Sequence, residues 1–391
     1  MRRSQGPALS CGAASDGAPA RSTAPPQAAS RDAAAITAKI ARFVIAQDHD
    51  GGAEQTSGSS TSARRPACCW KPDRFDTTRD RTARMFARFL ALRSLLLFPI
   101  LGCGGSTTPC TGTACASDSA APIVLFSGSY LTDTWTWDGA RWTPHATPGP
   151  TGRYLPAAAR LGASVLVFGG VDSDQKLLSD TWLWDGNAWT QVSTGGPSAR
   201  SGASTGALDG KIVLFGGTDS SLNALGDTWE WNGSTWTAHV VTVSPPAEAE
   251  GCMVALNGKV VLFTGGTGET WEWDGNTWTQ KATTGPSGRY GAACAPLNGK
   301  LVLFGGTLGP AFFQDTWLWD GSAWSKANPS QPPPARFRAS AGSLDGTMLL
   351  FGGTTATMEL GDTWLWNGSD WESASPSPAP PSRSGGAMVG P

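Results

Sequence analysis

The chain has 391 residues, a length that would suit two or three domains, but its composition divides it differently. Residues 1–93 carry 15 Lys and Arg against 8 Asp and Glu, whereas the remainder carries 14 against 23, about nine negative charges net. That balance excludes nucleic acid and an anionic membrane surface as partners of the larger part.

Residues 1–84 are rich in Ala, Arg, Ser, Pro and Gly, with one short apolar-periodic patch near 36–45. They are expected to be either upstream sequence that is not native to the protein or a disordered extension. At Met85 the text changes to MFARFLALRSLLLFPILGCGGS. Arg88 and Arg93 form a positive region and 94–101 a short apolar one, the layout of a secretory signal peptide over 85–102. A transmembrane helix fits less well, because the two arginines interrupt a stretch already short of the ~20 apolar residues required. The run Ile100-Leu101-Gly102-Cys103 resembles the lipobox of bacterial lipoproteins, departing from it by Leu101. The resemblance implies that Cys103 is lipidated and becomes the new N-terminus, with Met85 the true start. Residues 103–118 are then a flexible tether in which Cys110 and Cys115 could pair in an oxidising compartment.

From residue 120 onward one motif dominates. DTWLWDGNAWT (180–190) returns as DTWEWNGSTWT (227–237) and DTWLWDGSAWS (315–325), and the motif opens at Asp133, Asp180, Asp227, Glu269, Asp315 and Asp362. Of nineteen tryptophans, eighteen lie in these six copies, three in each. Each copy follows an apolar run ending in glycine, such as VLVFGG (165–170) or IVLFGG (212–217). A strand-like period of 40 to 50 residues without helix predicts a propeller of four-stranded blades.

Alternation and turn chemistry place the strands. In the third copy RSGASTGAL (200–208) predicts strand a, KIVLFGG strand b, DTWEW strand c, and Trp236 marks strand d. Asp209-Gly210 turns a into b, and Asx-Gly recurs in all six c–d turns, which predicts type I′ hairpins with positive φ at both central residues. A glycine doublet closing strand b, an acid opening strand c and a tryptophan opening strand d resemble the kelch repeat over residues 119–391. WD40 repeats also carry Trp-Asp pairs, but here Asp185 belongs to a turn and the Gly-His element is missing.

The ends fix the blade number. In complete copies Arg precedes the last residue of strand a by eight, and the strand b Phe follows seven later. Arg383 puts that slot at Pro391, and counting back from Phe126 puts it at Ser119. The chain is therefore expected to close as six blades, with a C-terminal strand a joining N-terminal strands b, c and d. A side chain repeated in every blade cannot contact one ligand, so the tryptophans are expected to fill the space between sheets. Cys252 and Cys294 are expected to be small buried residues of the inner strands.

No catalytic constellation stands out. His145 and His239 lie two blades apart on outer strands and are expected at the surface, and no metal-ligand spacing of His and Cys appears. Galactose oxidase also uses a kelch propeller, but its His and Tyr copper ligands have no counterparts here. Arg153, Arg200, Arg289, Arg336 and Arg383 open successive strands a and are expected to form a structural ring with the acids of strand c. Blade 4 departs twice, with Glu248 in the Arg slot and Glu269 in the Asp slot; decay of that repeat is the expected reason, and a spot that attracts a cation or a basic ligand is the alternative. Loops b–c vary, the acid following the strand b Phe by 7, 12, 12, 6, 11 and 11 residues. Variable loops on a rigid scaffold are where function sits. Within them Leu131, Leu178, Leu225, Phe313 and Leu360 repeat and are framework, while Asp172, Asp174, Lys176, Asp219, Phe312 and Met358 do not and form the candidate binding face. The expected protein is an exported, lipid-anchored monomer of the bacterial envelope that binds a protein or glycan through this face, without cofactor or metal. The alternative is a sugar-active or other enzyme with its site at the channel mouth.

Overall fold

The computed structural model describes residues 121–192, 195–281 and 284–391; the upstream extension, the signal peptide, Cys103 and the tether lie outside the described residues. Those described fold as six four-stranded antiparallel sheets, one per repeat, with two short additional ribbons. One lies within the b–c loop of blade 5, and the other pairs Arg153–Tyr154, before strand a of blade 2, with Val171–Asp172 of its b–c loop. In blade 3 the strands are Ser204–Leu208, Lys211–Phe215, Thr228–Trp231 and Trp236–His239. Strand a starts four residues after Arg200, so the arginine precedes the strand instead of leading it. After an exposed Lys211, strand b is apolar throughout because both its faces meet neighbouring sheets, and Ile212 to Phe215 are all buried. Strand d keeps only its first residue, Trp236, fully inside.

The two kinds of turn differ. In the a–b turn of blade 3 Leu208 pairs with Lys211, and both Asp209 and Gly210 have positive φ, 48° and 71°, as a type I′ hairpin requires. The c–d turns are not of this type, contrary to expectation. Trp231 pairs with Trp236, which leaves four loop residues, and only Gly233 is left-handed, at φ 99°. Asn232 organises the loop with its side chain, Oδ1 accepting the amides of Ser234 and Thr235 at 2.9 Å each. A short polar side chain that mimics a backbone turn is the reason for Asx here.

The ring closes as the two ends of the sequence require. Ala387–Val389 pairs with Ile123–Phe126, with Phe126 opposite Ala387 just as Phe215 is opposite Ser204. Blade 1 therefore draws strand a from one end of the repeat region and strands b to d from the other.

The tryptophans hold the blades to one another. The middle one of each motif, such as Trp184, Trp231 or Trp366, is almost wholly buried. The strand d tryptophan stacks on the strand b Phe of the preceding blade, as Trp236 does on Phe168 at 5.4 Å, and it donates Nε1 to the threonine opening strand c there, Thr181 Oγ1 at 3.0 Å. All six junctions repeat both contacts. A polar partner for the N–H suits the strand d indoles to burial, whereas Nε1 of Trp184, Trp231, Trp319 and Trp366 is buried without one. One junction adds a covalent link: Cys252 and Cys294 form a disulfide between strands a of blades 4 and 5, with Cα atoms 6.0 Å apart. The expectation of two unlinked small residues is corrected by this bond, whose partners lie 42 residues apart in sequence but on adjacent inner strands.

Candidate functional site

The axial channel is closed at the loop face by a ring of backbone. Two residues after each Arg slot stands Leu155, Gly202, Glu250, Gly291, Arg338 or Gly385, and all six have positive φ, between 52° and 65°. Their amides and carbonyls form a cycle: each N–H donates to the carbonyl of the equivalent residue in the preceding blade, at 2.6 to 3.1 Å, from Leu155 on Gly385 round to Gly385 on Arg338. Left-handed φ is unfavourable for the three residues that have a Cβ, and such outliers concentrate at functional sites. The three glycines make room for them. A Cβ on Gly291 would come within 2.8 Å of Arg338 Cγ, and one on Gly385 within 2.5 Å of the Tyr154 ring.

Into that space Arg338 reaches across the axis from blade 6 to Glu250 of blade 4, with Nη2 to Oε1 at 2.5 Å and Nε to Oε2 at 2.7 Å. Its Nη1 donates to Tyr154 Oη of blade 2 at 3.0 Å, and Tyr154 Oη lies 3.2 Å from Ser384 Oγ of blade 1. Ser384 Oγ in turn donates to Glu359 at 2.7 Å, and Ser129 bonds the same carboxylate. Burial pushes the Tyr154 hydroxyl above its ordinary pKa and keeps it neutral. Four blades are thus joined across the axis by one buried polar network, whose members each have a partner.

Around this plug lies the arginine ring. Arg200 forks onto Asp227 with Nη1 to Oδ1 at 2.6 Å and Nη2 to Oδ2 at 2.8 Å, donates to Gly216 O, and is 1% exposed. Arg153–Asp180, Arg289–Asp315, Arg336–Asp362 and Arg383–Asp133 repeat the arrangement. Each aspartate also accepts its own strand c indole, as Asp227 accepts Trp229 Nε1 at 2.7 Å. Partial burial works against the Asp227 carboxylate, but the bonds from Arg200 and Trp229 outweigh it and hold its pKa below the ordinary value.

Blade 4 does otherwise. Glu248 has the backbone position of the arginines: its N–H donates to Leu225 O and its carbonyl accepts from Gly217, as Arg200 does with Leu178 and Gly170. Its carboxyl folds back, Oε2 accepting the Gly265 amide at 2.7 Å, while Oε1 is buried without a partner. Burial, with the charge of Glu269 added, pushes this carboxyl well above the ordinary carboxylate range, against the lowering effect of the Gly265 amide. Glu269 accepts Trp271 Nε1 at 2.8 Å and, among the described residues, makes no ion pair.

A cavity of about 430 Å³ opens above the plug on the b–c and d–a loop face. Its walls come from the long loops of blades 2 and 3, including Leu177, Lys176, Asp219 and Leu222, and from the link Pro246–Ala249 into blade 4. The short blade 4 loop contributes Thr264 and Thr267, and the floor holds Tyr154, Glu248, Glu250 and Arg338. Apolar walls with a few convergent polar groups are the ordinary make-up of a ligand site.

Of the six loop residues singled out in the sequence, Lys176 and Asp219 line this cavity. Asp172 and Asp219 also shape their loops, Oδ1 of each accepting two backbone amides, from Asp174 and Lys176 in one case and Ser221 and Asn223 in the other. Phe312 of the blade 5 loop packs on Phe337 of blade 6 at 5.4 Å, while exposed Asp174 and Met358 stand outside the cavity lining. His145 and His239 are half-buried, each ring edge-on to the tryptophan of the next blade, Trp184 and Trp273, at 5.3 Å. They are packing residues and not free surface groups. Sequence reasoning missed Tyr154, Glu250 and Arg338; the signal for Glu250 and Arg338 was their place two residues beyond the Arg slot, where blades 1, 3 and 5 carry glycine, and Tyr154 stands one residue beyond that slot.

Residues 115–274 match the family model described as the KLHDC2/KLHL20/DRC7 Kelch-repeats domain, a stretch that reaches strand c of blade 4. No curated protein matches the chain. The fold is an all-β, six-bladed propeller of kelch type, and propellers of this type are generally protein-binding modules.

Proposed function

We propose that the protein is an exported lipoprotein whose propeller binds a partner protein through its loop face, with the cavity over the plug as the centre of recognition. The observation that carries this reading is the cavity itself, the place where loops of unequal length converge on a rigid floor. The opposite face offers six near-identical Asx-Gly turns, which give a partner little to discriminate. Leu177, Leu222, Pro246 and Ala249 favour a protein side chain over a sugar, since the indoles on which sugars stack are committed to the blade junctions. Export is supported by the signal-peptide layout and the Leu-Gly-Cys run at 101–103. The Cys252–Cys294 disulfide supports it independently, because such bonds persist in oxidising compartments.

A photo-crosslinking residue at Leu222, beside the cavity, should trap one defined species in the cell envelope, and one at Ser322 in a c–d turn should not. Crosslinks from Ser322 alone would put the partner on the other face. Expressed from Met85, the protein should incorporate labelled fatty acid, and Cys103→Ser should abolish the label; an unlabelled, soluble wild type rules out the anchor.

A further inference from the structure

Five blades set an arginine of their own against the aspartate that opens strand c, whereas blade 4 sets a second acid there. Simple loss of the arginine would be met by a small or apolar residue. Glu248 instead adds a carboxyl, 6% exposed, beside a Glu269 that already lacks a counter-ion among the described residues. Glu248 lines the cavity, and its Oε1, buried against Gly251, has no hydrogen-bond partner. Among the described residues it is the one carboxyl oxygen buried without a partner, and an unsatisfied carboxyl costs more than the unpaired indole and hydroxyl groups elsewhere in the propeller and calls for an explanation. Of the other two cavity carboxylates, Glu250 is engaged by both nitrogens of the Arg338 fork and Asp219 by the Ser221 and Asn223 amides and the Asn223 side chain of its own loop, so Glu248 is the one with an unengaged oxygen.

We propose that the cavity admits an arginine or lysine side chain of the partner protein and that Glu248 is the counter-ion for it. The inference rests on the loop-face reading above and deepens it. The apolar wall residues suit the methylene stem of such a side chain, leaving its charged head for the polar floor. On binding, Glu248 gives up its proton to solvent and the incoming cation takes its place. The groups around it are Glu269, whose charge disfavours ionisation, and Lys176, Asp219, Tyr154, Tyr290, Glu250 and Arg338 along the cavity. The Glu250–Arg338 pair is internally neutral, so the uncompensated charges near Glu248 include Glu269, which favours a cation.

The test uses n-butylguanidinium and its neutral isostere n-butylurea, titrated calorimetrically into the full chain. The cation should bind at least about tenfold more tightly than the urea. Its affinity should rise with pH by up to about tenfold per unit while free Glu248 is protonated, because one proton leaves on binding. Glu248→Gln, which keeps the shape, should weaken the cation about tenfold or more and flatten its pH profile. Glu248→Arg, which gives blade 4 the arginine of its sisters, should abolish binding, and if that variant does not fold the Gln variant carries the test. Equal binding of the two probes, no binding of the cation, or an unchanged affinity in Glu248→Gln overturns the proposal. Crosslinking from Leu222 that persists undiminished in Glu248→Gln also overturns it, yet leaves the binding face intact. Absence of that crosslink in the wild type sinks the binding face, whatever the probes do.

Discussion

Blades 3 and 4 share the strand c sequence TWEW and the same Lys–Glu pairing between strands b and c, Lys211 with Glu230 and Lys259 with Glu272. They part at the channel mouth. Blade 3 locks its arginine onto Asp227, and its Gly217 amide reaches forward to the Glu248 carbonyl of the next blade. At the five ordinary junctions this forward bond is present, from Gly128, Gly170, Gly217, Gly306 and Gly353. In blade 4 the corresponding amide, Gly265, turns back to the Glu248 side chain, and blade 5 is held by the Cys252–Cys294 disulfide instead. Blade 4 is therefore not a decayed copy. Its junction has exchanged a backbone bond for a covalent one, and that exchange leaves a buried acid beside the cavity where sister blades are self-satisfied.

Breaking the ring should have the largest effect. Deleting residues 383–391 removes strand a of blade 1 and the Arg383–Asp133 pair and bares the edge of Ile123–Phe126. The cooperative thermal transition should be lost or fall far below that of every point variant; an unchanged melting temperature contradicts closure by this strand. Next comes the covalent junction. Cys252→Ser with Cys294→Ser should lower stability in denaturant by roughly 2–4 kcal/mol, the usual range for a loop closed by a disulfide. A loss well below that means that blades 4 and 5 hold together without it. Arg200→Gln should cost somewhat less, about 2–3 kcal/mol, because Asp227 is left partly buried without its cation while its 41% exposed side chain draws on water. Glu248→Gln at neutral pH should not destabilise at all, and this difference in sign between two equivalent positions tests the comparison directly.

The framework was legible because it is written six times. Periodicity disclosed the blades, and the two partial copies at the ends disclosed the seam. The Arg slots stood out as the one charged position among small residues. What repeats badly was harder to read. The plug is made by Tyr154, Glu250 and Arg338, one residue from each of three blades, the last two in a slot where three of their sisters carry glycine. No local pattern joins residues 154, 250 and 338; only ring closure brings them across one axis. The disulfide was hidden likewise, since Cys252 and Cys294 resemble the Ala and Ser of their sister strands until the blades are set side by side. Loop residues fared unevenly because exposure outside the repeat does not say which way a loop leans. Lys176 and Asp219 lean over the channel and Phe312 leans onto Phe337.

The smallest effect separates the two kinds of acid by pH. The five ring aspartates have carboxyls held below their ordinary value of 3.8, partial burial opposing and the arginine bonds prevailing. Their contribution is present above that value and is lost as pH falls through the folded pKa values. Glu248 has the opposite sign. Its folded pKa is raised above the ordinary 4.5, by burial first and by Glu269 second. The stability it carries is complete below 4.5, where both folded and unfolded states hold the proton, and it is lost as pH climbs toward the folded value. Within that interval the slope is at most about 1.4 kcal/mol per pH unit, the linkage limit for one proton. Denaturant melts of wild type and Glu248→Gln between about pH 5 and pH 8 should therefore show the variant gaining on the wild type as pH rises. Parallel curves would mean that Glu248 titrates normally in the folded protein. Saturating n-butylguanidinium should steady the wild type most at the alkaline end, where the free protein must otherwise bury a bare carboxylate beside Glu269.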